Sequence, residues 1–383
     1  MIRSLAELLA PADEAFFLRH FRDKEQFLLR AEKPGRAESM LPWGEIDRLF
    51  AASAPSHDRL RVMLNANTAE PRMYREGYVG PIRPDALLGL ASQGATLVQN
   101  GINDHVPAID ALVTSMERRL GCDVWANCYL SFGEFSGFLT HCDTHDVMIL
   151  QVWGAKRWRT YGTPVPHPID GMRPPKPETH LWEDVLRSGD LLYIPRGEFH
   201  AAVPEDHPSV HLTIGLMPSR GMNFVQWLAE RAGEDALFRA DLQRPDGSDG
   251  SVADEAGIKR ALKALIDESS IGDFLAAADR KKPVRRVAAF GAPARMTAQT
   301  VFVSALRRRL DLEVGDDEEL EIEIGGSLVR LTAMARRALG AITEQDRMTL
   351  ADVATTLDQR PDDQDLIDGL SELTRKALIA IED

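Results

Sequence analysis

Between Val124 and Met217 the chain is written in short strand-like runs, and that texture limits the fold more than any other feature. Val124–Phe132, Asp146–Trp153, Arg157–Tyr161, Leu191–Ile194 and Val210–Met217 each last four to nine residues and are parted by turns of Gly, Pro, Asp and Ser. Runs of this length with regular turn signals build a small barrel or jelly roll rather than a helical bundle. The proline-rich stretch Pro164–Pro177 admits no regular element and is expected as a loop at the barrel mouth.

Within this region the segment Thr140–Tyr161, THCDTHDVMILQVWGAKRWRTY, carries the densest set of chemically able side chains. Read as a strand, it sends His141 and Asp143 to one face and Cys142 to the other. Fifty-nine residues beyond His141, DLLYIPRGEFH ends in His200, just past another strand-like run. A His-X-Asp triplet alone carries little weight, because such a histidine more often has a structural role. With the distal histidine added, two imidazoles and one carboxylate can occupy one face of a metal and leave the other open, as in non-haem Fe(II) oxygenases. His145 is expected at the rim, His167, His180 and His207 on exposed loops, and His211 is left without a role. Alternation along the next strand groups Lys156, Trp158 and Thr160 against Arg157, Arg159 and Tyr161, and only one group can face the barrel. Taken alone, this basic run equally fits an exposed edge strand protected from aggregation by its charges.

The flanks have a different texture. Ser4–Leu29 has helical spacing broken at Pro11 and ends strand-like. Trp43–Phe50 is helical, Leu60–Leu64 and Ala95–Gln99 are strand candidates, Tyr74–Arg83 reads as loop, and Val106–Leu120 is an amphipathic helix closed by Gly121. After Arg220, helical spacing returns in Phe224–Leu237, Ile258–Ile266 and Ile271–Arg280, with a polar loop at Arg244–Gly257. These helices offer more apolar stripe than one short bundle buries, which predicts a homodimer built on them. Beyond the basic linker Arg280–Arg286, Val301–Leu310 is expected to be helical. Leu320–Ile324 and Leu328–Leu331 should form a hairpin about Gly325-Gly326, and further helices should end at Leu378–Ile381, an assembly read as winged-helix-like. The expected division is 1–220, 221–290 and 291–383.

A formal net charge of −14 argues against phosphate-driven DNA binding and favours a basic partner. Cys122, Cys128 and Cys142 form no paired framework, and no apolar run has membrane length. Both features predict a cytoplasmic protein without a membrane partner.

The array NCYLSFG, HCDTHDVMILQVWGAKRWRTY, GDLLYIPRGEFHAA and SVHLTIGL resembles the JmjC-type ribosomal oxygenases, cupin-like protein hydroxylases. The likeness runs from about Leu97 to Met217, is weaker toward the N-terminus and is only architectural beyond. It implies an α+β chain: a double-stranded β-helix (jelly-roll, cupin) JmjC domain, then a helical dimerisation region and a winged-helix-like domain. It further implies Fe(II) held by His141, Asp143 and His200, with 2-oxoglutarate as cosubstrate, its distal carboxylate on Lys156, and dioxygen at the remaining metal position. Asn127, Tyr129 and Thr213 fall at pocket-lining positions. The implied reaction is hydroxylation of a histidine or arginine side chain of a ribosomal protein. Some members carry arginine at the Lys156 position, so the lysine leans toward histidine, and the Arg72–Arg83 and Pro164–Pro177 loops are expected in the peptide groove. Two other readings stand beside it: N-methyl-lysine demethylation by the same chemistry, and a non-catalytic cupin acting as an interaction platform.

Overall fold

The computed structural model describes residues 2–52, 55–134, 137–206, 208–242, 255–285, 296–313 and 318–382. His207, most of the Arg244–Gly257 loop and the expected boundary at 290/291 lie outside the described residues. The chain separates into two compact units, Met1–Met217 and Pro218–Asp383.

The first unit opens with α1 (Leu5–Leu9) and α2 (Glu14–Asp23), whose first-turn N–H groups are capped by Ser4 and Asp13. There follow β1 (Phe27–Leu29), α3 (Trp43–Ala51), β2 (Leu60–Leu64), β3 (Asn67–Thr68), α4 (Pro84–Ser92), β4 (Thr96–Gln99) and α5 (Pro107–Leu120). Gly121 ends α5 at φ +60°, a left-handed cap that a side chain disfavours. The β-rich half comprises β5 (Asp123–Ser131), β6 (Asp146–Trp153), β7 (Ala155–Thr160), β8 (Trp182–Arg187), β9 (Leu191–Ile194), β10 (His200–Pro204) and β11 (Ser209–Met217).

These strands form two sheets, one of eight strands ordered β1-β9-β6-β11-β5-β4-β2-β3 and one of three ordered β10-β7-β8. Val147, Ile149, Leu192 and Ile194 of the large sheet pack against Trp158 and Leu186 of the small one. Met148, Leu150, Val152, Leu191 and Tyr193 point the other way, into the core beneath the helices. Both faces of β6 and β9 are therefore covered, which is why these strands read as continuous apolar runs. This is the jelly-roll arrangement of a cupin-type domain. The strands β8 and β10 escaped the sequence reading because WEDVLR and HAAVP lack a clear apolar period.

The second unit begins with α6 (Gly221–Ala232), a short α7 (Ala236–Arg239), α8 (Glu255–Asp267) and α9 (Ile271–Arg280). Then come β12 (Val301–Ser304), β13 (Leu320–Ile324), β14 (Ser327–Leu331), α10 (Ala333–Gln345), β15 (Arg347–Thr349), α11 (Leu350–Thr356), α12 (Gln364–Arg375) and β16 (Ile379–Glu382). Two expectations fail here. Val301–Leu310 is not helical: Val301–Ser304 is the central strand of a sheet ordered β15-β12-β16. Its Val-Phe-Val run has strand propensity that chance helical spacing masked. The C-terminal Leu378–Ile381 likewise enters a strand, paired with β12. The β13–β14 hairpin turns at Gly325 and Gly326 with φ +62° and +78°, the left-handed pair a primed turn needs. Phe302, Leu339, Ile342, Val353, Leu370 and Leu373 lie in a core of the second unit.

Candidate metal centre and active site

His141 lies on a stretch of irregular backbone, since β6 starts only at Asp146. Strand parity is thus not what brings His141 and Asp143 together, and that expectation is corrected. An isolated antiparallel bridge does it: His141 N–H donates to the His200 carbonyl (3.2 Å) and His200 N–H to the His141 carbonyl (2.8 Å). Gly197 N–H adds a bond to the Asp143 carbonyl at 2.9 Å. Gly197 sits at φ +87°, where a Cβ would come within 2.8 Å of Pro168. Asp146, fully buried, ties the same two segments from behind. Its carboxylate accepts from Tyr193 Oη (2.9 Å) and Arg196 N–H (3.1 Å), and it pairs with Lys24 Nζ from the end of α2 at 2.8 Å.

The side chains of His141, Asp143 and His200 converge, each offering a ligand atom within 4.8 Å of the others. His141 Nδ1 contacts the Leu139 carbonyl at 2.9 Å and His200 Nδ1 the Glu198 carbonyl at 3.1 Å. A carbonyl only accepts, so each Nδ1 carries a proton and Nε2 is the nitrogen left to face a metal, the orientation a metal-binding imidazole requires. Burial, and next the neighbouring His141, hold His200 below its ordinary pKa and keep it neutral. The donor set fits a divalent transition ion with an open face.

That face opens on a cavity of about 350 Å³ whose lining includes Asn127, Tyr129, Lys156, Trp158, His211 and Thr213. In β7, Lys156, Trp158 and Thr160 are buried, while Arg157 and Arg159 turn outward to Glu183 and Glu205. Because β7 is the middle strand of its sheet, the edge-strand reading does not apply. Lys156 Nζ donates to Ser131 Oγ at 3.0 Å, and among the described residues no carboxylate pairs with it. Burial pushes its pKa down to about 7. A buried cation without an anion is costly, and one that lines a cavity fits an anionic ligand.

Asn127 Oδ1 accepts from Gly101 N–H at 3.0 Å, which leaves its amide N–H groups to the cavity it lines. Tyr129, its pKa pushed up to about 12 by burial, stacks on His211 with ring centres 4.7 Å apart. Thr213 is half-buried in the same wall, and His145 lies against Trp125 at 4.8 Å and also lines the cavity. His211 is the residue the sequence reading left out. Its signal was present, since His211 and Thr213 share parity on β11.

Neither the Arg72–Arg83 loop nor the Pro164–Pro177 loop contributes a lining residue, whereas Arg61, Phe138 and Leu139 do. The proline-rich loop instead props the ligand segments from outside. Pro168 stands against Gly197, and Asp170 accepts from Thr144 Oγ1 at 2.6 Å.

The JmjC domain family matches residues 98–224. The bifunctional lysine-specific demethylase and histidyl-hydroxylase NO66 of Drosophila persimilis is 27% identical over 222 residues, covering 55% of this chain and 31% of that protein. Its namesake in Drosophila grimshawi is 31% identical over 174 residues, covering 43% and 24%. The chain thus spans about a quarter to a third of the length of these relatives. Among solved structures, YcfD, a ribosomal oxygenase from Escherichia coli, matches 97% of this chain and 99% of its own with TM-score 0.63 and 16% identity. The same protein in complex with cobalt and 2-oxoglutarate matches 96% and 98% with TM-score 0.60 and 17% identity. These structural likenesses establish a shared fold along nearly the whole chain. Residues 98–224 thus form a JmjC domain, and the chain as a whole shares the fold of these solved structures.

Proposed function

We propose that this protein is an Fe(II)- and 2-oxoglutarate-dependent oxygenase that hydroxylates a side chain of a ribosomal protein, histidine first and arginine second. The observation that carries the reading is one cavity serving two needs: two imidazoles with their Nε2 atoms free beside Asp143, and a buried ammonium, Lys156, without an anion.

In this reading His141, Asp143 and His200 hold the metal, and Lys156 pairs with the distal carboxylate of the cosubstrate in a charge-assisted bond. Iron with 2-oxoglutarate and dioxygen, when bound, supplies the power to insert one oxygen atom into an unactivated C–H bond, with succinate and carbon dioxide as by-products. Asn127 offers N–H donors to a carbonyl or imidazole acceptor, and Tyr129 and Thr213 complete the wall. Among the described lining residues the only carboxylate is Asp143, which the metal would occupy, and Arg61 stands in the same lining. With Lys156 paired to the cosubstrate, a guanidinium or methyl-ammonium entering there would meet the Arg61 cation and no free acid among the described lining residues, whereas a neutral imidazole would meet no such penalty. This favours histidine over arginine, and hydroxylation over N-methyl-lysine demethylation.

The proposed organisation is a catalytic domain at 1–220, a helical dimerisation region at 221–290 and a winged-helix-like domain at 291–383. Helices α6–α9 support the dimer. They bury only Leu228, Ala232, Gly257 and Phe274, and leave Val225 63% and Ile271 64% exposed. Sedimentation of the full chain at micromolar concentration should give a dimer, and a monomer there would sink this part of the reading. No helix among the described residues is long and apolar enough to cross a membrane. The proposed place of action is the cytoplasm, without direct DNA binding, and the acidic surface would steer in a basic polypeptide.

The test supplies Fe(II), 2-oxoglutarate and synthetic ribosomal-protein peptides carrying histidine or arginine, and reads succinate and peptide mass. A histidine peptide heavier by one oxygen atom is expected. Loss of a methyl group from a methyl-lysine peptide, with no oxidation of the others, would replace the reading by demethylation. Absence of any succinate would reduce the domain to an interaction platform.

A further inference from the structure

Three strands bring one buried polar side chain each into a cluster, of which Lys156 and His211 line the cavity. Ser131 ends β5, Lys156 rises from β7, and His211 lies on β11. The pairing of β11 with β6 shifts register between Val210 and His211, a bulge that sets the direction of the following side chain. His211 Nδ1 thereby stands 3.4 Å from Lys156 Nζ, and Ser131 Oγ is 3.0 Å from the same nitrogen. The imidazole is clamped, with Tyr129 flat against it (4.7 Å, 8° between planes) and Trp158 edge-on at 5.3 Å.

Donor and acceptor counting gives this cluster a direction. An ammonium has three N–H donors and no acceptor, so His211 Nδ1 must accept and the imidazole must be neutral with its proton on Nε2. Burial, and next the charge of Lys156, push His211 in the same direction. Ser131 Oγ also accepts from Thr96 Oγ1 at 3.2 Å, which holds the hydroxyl oxygen in place. With two of its donors engaged by clamped partners, the ammonium has one left, and the cavity it lines is where that donor remains available.

We infer that His211 is a positioning residue for the carboxylate-binding lysine: with Ser131 it fixes the Lys156 ammonium so that a single N–H is presented to an anion at one depth of the cavity. The inference rests on the proposed role of Lys156. It adds that carboxylate recognition is preset by neutral acceptors rather than formed when the ligand arrives. A flexible lysine would follow carboxylates of different reach, whereas one held at two points discriminates between them.

The experiment titrates 2-oxoglutarate, and separately its one-carbon-longer homologue 2-oxoadipate, into the manganese-loaded full-length protein by calorimetry. Lys156→Ala, His211→Phe and His211→Asn are compared with the unaltered chain. Phenylalanine keeps the flat stack on Tyr129 and removes the acceptor, while asparagine restores an acceptor. His211→Phe should weaken 2-oxoglutarate binding by about tenfold, the order expected for a lost bond to a charged group. It should also narrow the preference over 2-oxoadipate, and in turnover raise KM more than it lowers kcat. His211→Asn should recover part of both. Should Lys156→Ala weaken binding while His211→Phe leaves affinity and preference intact, the positioning role is overturned and the lysine's role stands. Should Lys156→Ala itself change nothing, the underlying reading of the lysine fails. If the phenylalanine variant does not fold, His211→Leu, which also lacks an acceptor, takes its place, and unchanged affinity and preference there overturn the inference.

Discussion

At one end of the cavity His141 and Asp143 sit on irregular backbone, whereas at the other Lys156 rises from the central strand of a sheet. The metal end is set by main-chain bonds between two loops, the 141–143 and 197–200 segments, backed by the buried Asp146. The lysine end is set by strand register, which fixes the face of Lys156 as soon as β7 pairs with β8 and β10. Loop-held ligands depend on every support behind them, while a strand-held side chain depends chiefly on its own identity. The two ends should therefore respond to substitution in different ways.

The largest expected effect is loss of the metal itself. His141→Ala or Asp143→Ala should reduce succinate formation to background and abolish manganese binding, with the folded spectrum retained, because both side chains are only partly covered and carry little of the core. Tight metal binding by either variant would show that the three groups do not share one ion.

Lys156→Ala should weaken 2-oxoglutarate binding by about ten- to a hundredfold and leave metal affinity unchanged. A parallel loss of metal affinity would break the contrast between the two ends. The lysine also carries a pH signature. Its pKa in the empty fold is about 7, below its ordinary value of 10.5. The anion needs the ammonium, so affinity should fall as pH rises above about 7. For stability the sign runs the other way. The unfolded chain binds the extra proton between the two values, so the cost of burying this lysine is full below pH 7 and fades as pH approaches 10.5. Lys156→Met should raise the melting temperature of the cosubstrate-free protein most at low pH, and a gain independent of pH would contradict this account.

How much of this was legible in the chain follows from the same contrast. The lysine end could be read as far as alternation along AKRWRT, which permits only two groupings; the resemblance pointed to Lys156, and the structure turns the other grouping outward to Glu183 and Glu205. The metal end was reached by a wrong route. Chemistry picked out His141, Asp143 and His200, but THCDTH is bridge and loop, and no local pattern announces an isolated bridge to a residue far along the chain. Asp146 passed unnoticed because a carboxylate opening an apolar strand looks like a turn residue until its partner Lys24 is seen. Val301–Ser304 was misread for a related reason: four residues cannot separate helix from strand when the pairing partners lie at distant positions in the chain.

Asp146→Asn sharpens the comparison by touching a support and no ligand. It removes the charge from a buried pair with Lys24 while keeping a side chain of the same size, so stability should fall by about 1–3 kcal/mol. Metal affinity should fall by about tenfold, the lower end for outer partners of metal ligands. 2-Oxoglutarate affinity, measured at saturating metal, should hold. A selective loss at the lysine end would mean that the ends are mechanically joined through β6.

The smallest effect is expected at Arg61, which lines the cavity, belongs to neither end and rests over the Phe138 ring at 5.8 Å. Its side chain is exposed, so its charge is screened, and removing it costs little in folding. Its proposed part is to bias the side chain that enters, since with Lys156 paired to the cosubstrate and Asp143 to the metal it would be the cation left among the described lining residues. Arg61→Glu reverses that bias without altering metal or cosubstrate contacts. The ratio of kcat/KM for histidine over arginine peptides should fall by a few-fold, mostly through faster capture of the basic side chain, and the change should shrink in high salt. If the ratio is unmoved while both peptides are still oxidised, charge in the lining does not select the substrate, and the preference for histidine must come from the shape of the Tyr129–Phe138 wall.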